Sequence, residues 1–216
     1  MKIHTVLFDF DGTLFDTVEG IAKSIQYALR KHGVEEPLDR LRCFAGPPLV
    51  DKFMEVYGVS VAEAERLVVD FRERYVPVGV YESSPFPGIR ELLTKLRAAG
   101  LTLGVATSKP QNMAELLLDR ADLRKAFDLI VGSSPGLNNE KKWQIIQRAM
   151  SLCGAAAADT VLIGDTKYDA LGAARCGISC VGVRWGYAAP GELEAAGVAR
   201  TVETMEELAE LLLTSA

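Results

Sequence analysis

The sequence has few of the residues that build zinc sites and disulfide bonds. It contains four cysteines, of which no two form a C-x-x-C pair, and two histidines, neither at ligand spacing from a cysteine. A zinc site or a redox-active cysteine pair is therefore not expected. We expect buried free thiols and a reducing compartment, the cytoplasm.

Long runs of basic or apolar residues are also missing. The 24 basic and 29 acidic residues give a net charge of −5, and no basic run is longer than Lys141-Lys142. This charge balance argues against a nucleic-acid partner. No apolar run reaches membrane-spanning length, and Asp9 interrupts the N-terminal apolar stretch, so neither a membrane partner nor a secretory signal is expected. The sequence leaves open whether the protein is a monomer or a homodimer.

The second part of the chain alternates apolar strand patterns with helix patterns, which predicts an α/β fold with a parallel sheet covered on both faces. The predicted strands after residue 85 are Leu101–Thr107, Leu129–Gly132, Thr160–Asp165, Cys180–Arg184 and Arg200–Val202. The helices that alternate with these strands are predicted at 89–99, 111–121, 142–152, 168–176, 191–196 and 205–213.

The segment from residue 17 to about 84 has helical periodicity throughout. Ile21, Ile25 and Leu29 recur on one face of a first helix, for which Asp16 and Glu19 have the spacing of a capping box. Shorter helices are predicted at 38–44 and 49–57, and a capped helix runs from Ser60 toward residue 75. These patterns predict an all-helical insert.

Two carboxylates lie one residue apart at the end of the first apolar segment. Asp9 and Asp11 follow Val6–Phe8, and Gly12-Thr13 then predicts a turn. Two anions 4 Å apart repel each other by about 4 kcal/mol at an effective dielectric constant of 20 unless a proton or a cation intervenes. The pair therefore indicates chemistry at a loop, with a divalent metal ion as the counter-charge.

Other polar side chains lie at the end of a predicted strand or the start of a predicted helix. Thr107 ends one strand, Asp165 ends another, and Asp169 follows four residues later. Lys142 begins a helix, where a cation meets the unfavourable end of the helix dipole, and Lys141 is the alternative one residue away. Because ligands bind outside the carboxyl ends of parallel strands, we expect Asp9, Thr107 and Asp165 to converge on one crevice.

The run of residues 9–17, DFDGTLFDT, resembles the first signature of the haloacid dehalogenase superfamily of phosphohydrolases. The second signature is resembled by the strand end at Thr107, the third by the helix start at Lys142, and the fourth by the pair Asp165 and Asp169. The four signatures occur in the order that the superfamily requires. The resemblance implies a Rossmann-like three-layer α/β/α core. That core would comprise residues 1–16 and 85–216, with residues 17–84 as an inserted helical cap that closes over the phosphate site.

The resemblance also implies a role for each site residue. Asp9 would be the nucleophile that becomes an aspartyl-phosphate, and Asp11 the general acid and base. Mg²⁺ would be held by Asp9, the backbone carbonyl of Asp11 and Asp165, an oxygen-rich set that suits a hard cation. Asp169 would support the metal through water or brace Lys142.

Phosphate would be bound by Thr107, Ser108 and Lys142. Dehalogenases of the superfamily lack a carboxylate at the position of Asp11, so dehalogenation is not expected here.

Candidates for substrate selection lie mainly in the insert. Phe44, Gly46 and Pro47 resemble the substrate-facing loop of nucleotidase-like members, although a rigid turn between two helices explains them equally well. Lys109 is a further candidate. Trp185 and Tyr187 could line a base or sugar pocket, or could pack internally.

Together these observations predict a Mg²⁺-dependent phosphatase of small phosphorylated metabolites, similar to phosphoglycolate or nucleoside monophosphates. Two alternatives remain: a phosphosugar mutase, and a non-catalytic phosphate-binding regulatory protein. The sequence does not identify the substrate.

Overall fold

The structure, a computed structural model, describes residues 2–134 and 140–215. Its contacts divide the chain into two compact units. The first comprises Met1–Phe15 and Pro85–Ala216, and the second comprises Asp16–Ser84. The described residues include no helix that is long and apolar enough to cross a membrane.

The strands and helices are numbered in chain order. The strands are β1 (Thr5–Phe8), β2 (Phe15–Asp16), β3 (Ser84–Pro85), β4 (Thr102–Pro110), β5 (Leu129–Ser133), β6 (Thr160–Gly164), β7 (Ser179–Val183) and β8 (Arg200–Val202). The helices are α1 (Val18–Lys31), α2 (Leu38–Leu41), α3 (Leu49–Tyr57), α4 (Val61–Tyr75), α5 (Ile89–Ala98), α6 (Gln111–Arg120), α7 (Lys142–Cys153), α8 (Lys167–Arg175), α9 (Glu192–Ala195) and α10 (Met205–Thr214).

The first unit is built on a parallel six-stranded sheet in the order β5-β4-β1-β6-β7-β8. The central strand β1 is fully buried and apolar apart from Thr5, as expected for a strand covered on both faces. The helices α7 and α8 pack against each other and against the sheet, while α5 packs against β4 and α10. The predicted α/β fold with a parallel sheet is confirmed.

A core of apolar side chains joins α7 and α8 to one face of this sheet. Leu7 of β1 and Leu162 of β6 contribute from the strands, and Ile145, Ile146 and Ala149 contribute from α7. Side chains alternate between the two faces of a strand, so Val6 and Phe8 point to the opposite face. Both are completely buried there.

The second unit is helical, with α4 packed against both α1 and α3. Ile21, Ile25 and Leu29 are buried on one face of α1, in agreement with the predicted periodicity. Ser60 and Glu63 form a capping box at the start of α4, which satisfies backbone donors that a helix N-terminus leaves unpaired.

Two local expectations were wrong. Asp16 and Glu19 do not form a capping box: α1 has Thr17 as its N-cap, and the Asp16 carboxylate accepts a hydrogen bond from the Val18 amide at 3.2 Å. The four cysteines are free, but none is fully buried, and Cys43 is exposed. Cys43 lies in a short 3-10 turn, Arg42–Phe44, in which the neighbouring Phe44 is the buried residue.

Candidate active site

The polar side chains of the site are delivered by three neighbouring strands. Asp9 directly follows β1, Asp165 directly follows β6, and Thr107 lies within β4. Since β1 lies between β4 and β6, the carboxyl ends of these strands meet at the middle of one sheet edge. All three side chains are buried, and Asp165 is completely inaccessible to solvent.

Two helix starts complete the polar cluster. Lys142 is the first residue of α7, and Asp169 lies in the first turn of α8. The Lys142 ammonium lies 2.6 Å from the Asp9 carboxylate and 2.7 Å from that of Asp169. Lys141, by contrast, is an exposed N-cap residue. The geometry therefore supports Lys142 rather than Lys141 as the lysine of the site.

Asp9, Asp165 and Asp169 each place a carboxylate oxygen within 4.8 Å of the other two. Burial raises the pKa of Asp9 to about 6, even though the Lys142 ammonium opposes the shift. Burial also raises the pKa of Asp165 well above its ordinary value, and the charges of Asp169 and Asp9 add to the increase. Burial by itself would lower the pKa of Lys142. The negative charges of Asp169 and Asp9 have the larger effect, so the pKa of Lys142 is raised above its ordinary value.

This donor set fits a divalent metal ion. The three carboxylates are buried close together, and the Lys142 ammonium contacts those of Asp9 and Asp169. A further positive charge would relieve the repulsion among them. Oxygen donors of this kind suit a hard cation such as Mg²⁺. Of the ligands expected from the sequence, the structure groups the carboxylates of Asp9 and Asp165. The carboxylate of Asp169, which was expected to support the metal through water or to brace Lys142, lies with them and contacts Lys142. The carboxylate of Asp11 is outside this group of three and pairs with another lysine, Lys109.

Asp11 forms an ion pair that the sequence analysis did not anticipate. Its Oδ1 atom lies 2.9 Å from the Nζ atom of Lys109, and the Lys109 side chain is only 2% exposed. The two catalytic candidates thus have separate cationic partners, Lys142 for Asp9 and Lys109 for Asp11. Lys109 was expected only as a possible specificity residue, because the pair spans 98 positions.

The phosphate-binding candidates lie along β4. Thr107 is 1% exposed, and its hydroxyl oxygen accepts a hydrogen bond from the Lys109 amide at 3.2 Å. Ser108 is half-buried. The following helix α6 begins at Gln111, so its unpaired backbone N–H groups come soon after these hydroxyls in the chain.

Asp165 is held by a set of contacts from two loops. The Thr13 hydroxyl donates to its Oδ1 atom at 3.2 Å, and the Tyr187 amide donates to its Oδ2 atom at 2.8 Å. The indole N–H of Trp185 donates to the Thr13 carbonyl at 3.2 Å, which ties the two loops together. The sequence analysis missed Thr13 and treated Trp185 and Tyr187 as pocket or packing residues. Their hydrogen bonds to the site follow from tertiary contacts alone.

Close backbone approach to Asp165 requires glycine at position 12. Gly12 has a φ of +80°, and a Cβ atom there would lie 2.1 Å from the Asp165 carboxylate. A Cβ atom on Gly186 would also lie within 2.6 Å of three side-chain atoms of Asp165. Both loops therefore need a glycine, which has no side chain, to approach the Asp165 carboxylate this closely.

The specificity candidates of the second unit differ in exposure. Phe44 is buried and packs against the rings of Phe53 at 4.8 Å and Tyr57 at 6.2 Å. Gly46 and Pro47 are half-buried and lie between the 3-10 turn at Arg42–Phe44 and α3. Within this unit Phe44 is a core residue, whereas Gly46 and Pro47 retain accessible surface.

Comparison with known proteins gives consistent matches over most of the chain. The family model described as haloacid dehalogenase-like hydrolase matches residues 6–183. A 5'-nucleotidase from Pseudomonas aeruginosa is 41% identical over 196 residues, which cover 90% of this chain and 89% of the relative. A phosphoglycolate phosphatase from Caulobacter vibrioides is 31% identical over 189 residues, covering 85% of this chain and 80% of the relative.

A solved structure has the same fold. The crystal structure of a protein from Clostridium acetobutylicum, described as a predicted phosphatase, matches with a TM-score of 0.95 and 36% identity. The match covers 99% of this chain and 100% of that one. The family match over residues 6–183, together with these relatives, shows that the chain belongs to the haloacid dehalogenase-like hydrolase family.

Proposed function

We propose that this hydrolase is a Mg²⁺-dependent phosphatase that cleaves monoesters of small phosphorylated metabolites through an aspartyl-phosphate on Asp9. The observation that carries the proposal is the position of Asp9. It lies at the end of the central strand, in contact with the Lys142 ammonium and beside the carboxylates of Asp165 and Asp169. Relatives named as a 5'-nucleotidase and a phosphoglycolate phosphatase support the assignment.

In the first step an oxygen of Asp9 attacks phosphorus. A bond forms between this oxygen and phosphorus, while the bond between phosphorus and the leaving alcohol oxygen breaks and its electron pair moves to that oxygen. Lys142 stabilises the negative charge on the transferring phosphoryl group, and the hydroxyls of Thr107 and Ser108 donate hydrogen bonds to it. Covalent capture divides one difficult reaction into two easier steps.

Asp11 supplies the proton transfers. As a general acid it protonates the departing alcohol oxygen, and as a general base it then accepts a proton from the water that attacks the phosphorus of the intermediate. This second attack breaks the bond between phosphorus and the Asp9 oxygen and releases inorganic phosphate. Asp9 returns to its carboxylate form.

The metal would be held by Asp9, the backbone carbonyl of Asp11 and Asp165, with Asp169 beside Lys142. When bound, Mg²⁺ neutralises negative charge on the carboxylates and on the phosphoryl oxygens. The buried carboxylates and their raised pKa values support this assignment.

The substrates are small monoesters of the nucleoside monophosphate or phosphoglycolate kind, as the names of the relatives suggest. Residues 17–84 act as the cap that selects the leaving group. Gly46 and Pro47 are the surface candidates for this selection, because their half-buried positions leave area for a ligand.

The test is phosphate release from a panel of nucleoside monophosphates, phosphoglycolate, sugar phosphates and pyrophosphate. We expect wild-type activity to disappear when a chelator removes the metal and to return with added Mg²⁺. Asp9→Asn should reduce release about a thousandfold or more. Asp119→Asn, an exposed position on α6, is the matched control and should retain wild-type activity.

Three results would contradict the proposal. Retained activity in Asp9→Asn would exclude the covalent route. Conversion of a sugar phosphate to its isomer without phosphate release would identify a phosphosugar mutase. Phosphate binding without turnover on any member of the panel would identify a regulatory protein.

A further inference from the structure

Lys109 is a buried lysine whose ammonium group forms an ion pair with the Asp11 carboxylate. The Lys109 side chain is 2% exposed, the Asp11 side chain is 15% exposed, and their charged atoms lie 2.9 Å apart. Removing an ammonium group from water is costly unless a partner compensates for the lost hydration. The contact with Asp11 contributes to that compensation, and it joins the first loop of the unit to the end of β4.

The backbone and a neighbouring ring fix the position of Lys109. The pairing register of β4 with β5 shifts between Ala106 and Pro110, which redirects the chain at this point. The Lys109 amide donates to the Thr107 hydroxyl oxygen, and the Lys109 ammonium lies 5.4 Å from the centre of the Phe10 ring. Phe10 is itself fully buried and stacks on Phe15 at 4.6 Å. A cation over a buried ring gains further electrostatic stabilisation.

The two buried lysines, Lys142 and Lys109, form ion pairs with different carboxylates. Lys142 contacts Asp9 and Asp169, whose oxygens lie with that of Asp165 in the candidate metal site. Lys109 contacts Asp11, whose side chain is outside that group of three. Asp11 is thus paired with Lys109 rather than grouped with these three carboxylates.

We propose that Lys109 is a positioning residue that fixes the rotamer of Asp11 for proton transfer. The inference rests on the proposed phosphatase function. Because the Lys109 ammonium occupies Oδ1 of Asp11, Oδ2 is the atom that carries the proton. The proton moves from Oδ2 to the leaving alcohol oxygen while the bond between that oxygen and phosphorus breaks. In the second step Oδ2 takes a proton from the attacking water. Lys109 itself transfers no proton and touches no reacting atom.

The role can be measured through the leaving group. An alkyl alcohol leaves slowly without a proton, whereas nitrophenolate leaves readily without one. The value of kcat/KM covers all steps through departure of the leaving group, so the ratio of kcat/KM for an alkyl monoester to that for p-nitrophenyl phosphate reports acid catalysis.

We expect Lys109→Met to reduce this ratio about tenfold or more, and Asp11→Asn to reduce it in the same direction. The double variant should show no further reduction, because Lys109 acts through Asp11. Lys109→Gln is assayed in parallel, so that loss of folding in one variant leaves the ratio measurable in the other. Lys125→Met, an exposed lysine of the same unit, should leave the ratio unchanged.

Three outcomes overturn the inference. Equal losses on both esters in the Lys109 variants would mean a structural role only. A ratio in the double variant reduced by the product of the two single effects would mean that Lys109 acts independently of Asp11. If wild-type protein released phosphate from neither ester, the proposed function would be overturned, and the proposed role of Lys109 with it.

Discussion

Asp165 shows at the scale of single residues how the site is held. It accepts hydrogen bonds from the Thr13 hydroxyl and the Tyr187 amide, one on each carboxylate oxygen. Such bonds fix the carboxylate in one orientation, and supporting contacts of this kind tune the affinity of a metal site. Neither contact is a feature of the sequence pattern, because the two donors lie 152 and 22 positions from Asp165.

Gly12→Ala tests whether the approach of the first loop to Asp165 matters. The new Cβ atom would lie 2.1 Å from the Asp165 carboxylate, so the carboxylate or the loop must move. A displacement of this kind at a site that needs exact positioning costs on the order of a hundredfold in activity. We expect that loss in kcat/KM, measured by phosphate release at saturating Mg²⁺.

Gly191→Ala is the matched control for this substitution. Gly191 has nearly the same backbone conformation, with a φ of +79°, and nothing lies within 4 Å of a Cβ atom there. Both variants carry the strain of alanine at positive φ, about 1–2 kcal/mol in stability. Only Gly12→Ala should lose activity, and equal activity in the two variants would show that the close approach is not required.

At the scale of secondary structure elements, the sequence predicts the strands and helix starts that depend on local residue patterns. The buried strands β1, β4 and β6 each contain a continuous apolar run, and the sequence shows the polar residue that follows each run. The helix α4 begins at the predicted capping box of Ser60, because this motif needs only residues three positions apart. Helix α1 is different: Asp16 and Glu19 have the same spacing, but the tertiary fold starts the helix at Val18.

The end of β4 is the element that the sequence did not predict. The strand was expected to end at Thr107 but continues to Pro110, with a shift in its pairing register. A register shift depends on the neighbouring strand and leaves no periodic signal. The burial of Lys109 and its pairing with Asp11 follow from this extension, so the pair could not be inferred from the chain.

The helical unit contains an ion-pair network with a defined pH dependence. Two nitrogens of Arg74 donate to the Glu82 carboxylate at 2.9 and 3.0 Å, and Lys23 lies 3.2 Å from the same group. The hydrogen bonds from Arg74, with a further contribution from Lys23, lower the pKa of Glu82 below its ordinary value of 4.5. The ionised carboxylate thus stabilises the folded chain at neutral pH, and this stabilisation is lost as the pH falls below 4.5 through the lowered pKa.

We expect Glu82→Gln to lower the free energy of unfolding by about 1 kcal/mol at pH 7. The difference from wild type should shrink in acid, where wild-type Glu82 is protonated as well. Urea unfolding at pH 7 and at lower pH measures both values. Glu19→Gln, which removes the exposed partner of Lys23, is the control and should change stability by less than about 0.5 kcal/mol. A Glu82→Gln effect that is independent of pH would contradict the account.

At the scale of the whole molecule, the strand order assembles the candidate site. The order of strands, β5-β4-β1-β6-β7-β8, brings residues from positions 9, 107 and 165 to one edge of the sheet. This convergence is a property of parallel sheets and was inferable from the chain. Selection of a leaving group depends on individual side-chain contacts with a ligand, and no periodicity of the sequence encodes those contacts.

The central claim is that Asp9 becomes covalently phosphorylated, and trapping the phosphoryl-enzyme tests it most directly. Wild-type protein is mixed with a phosphorus-labelled monoester that the panel identifies as a substrate, and the reaction is stopped with acid within one turnover. We predict that the label is found on the peptide that contains Asp9 and that hydroxylamine removes it, as expected for an acyl phosphate. We predict no label on the Asp9→Asn variant. Turnover of the ester without any trapped label, or a label on a different residue, would contradict the account.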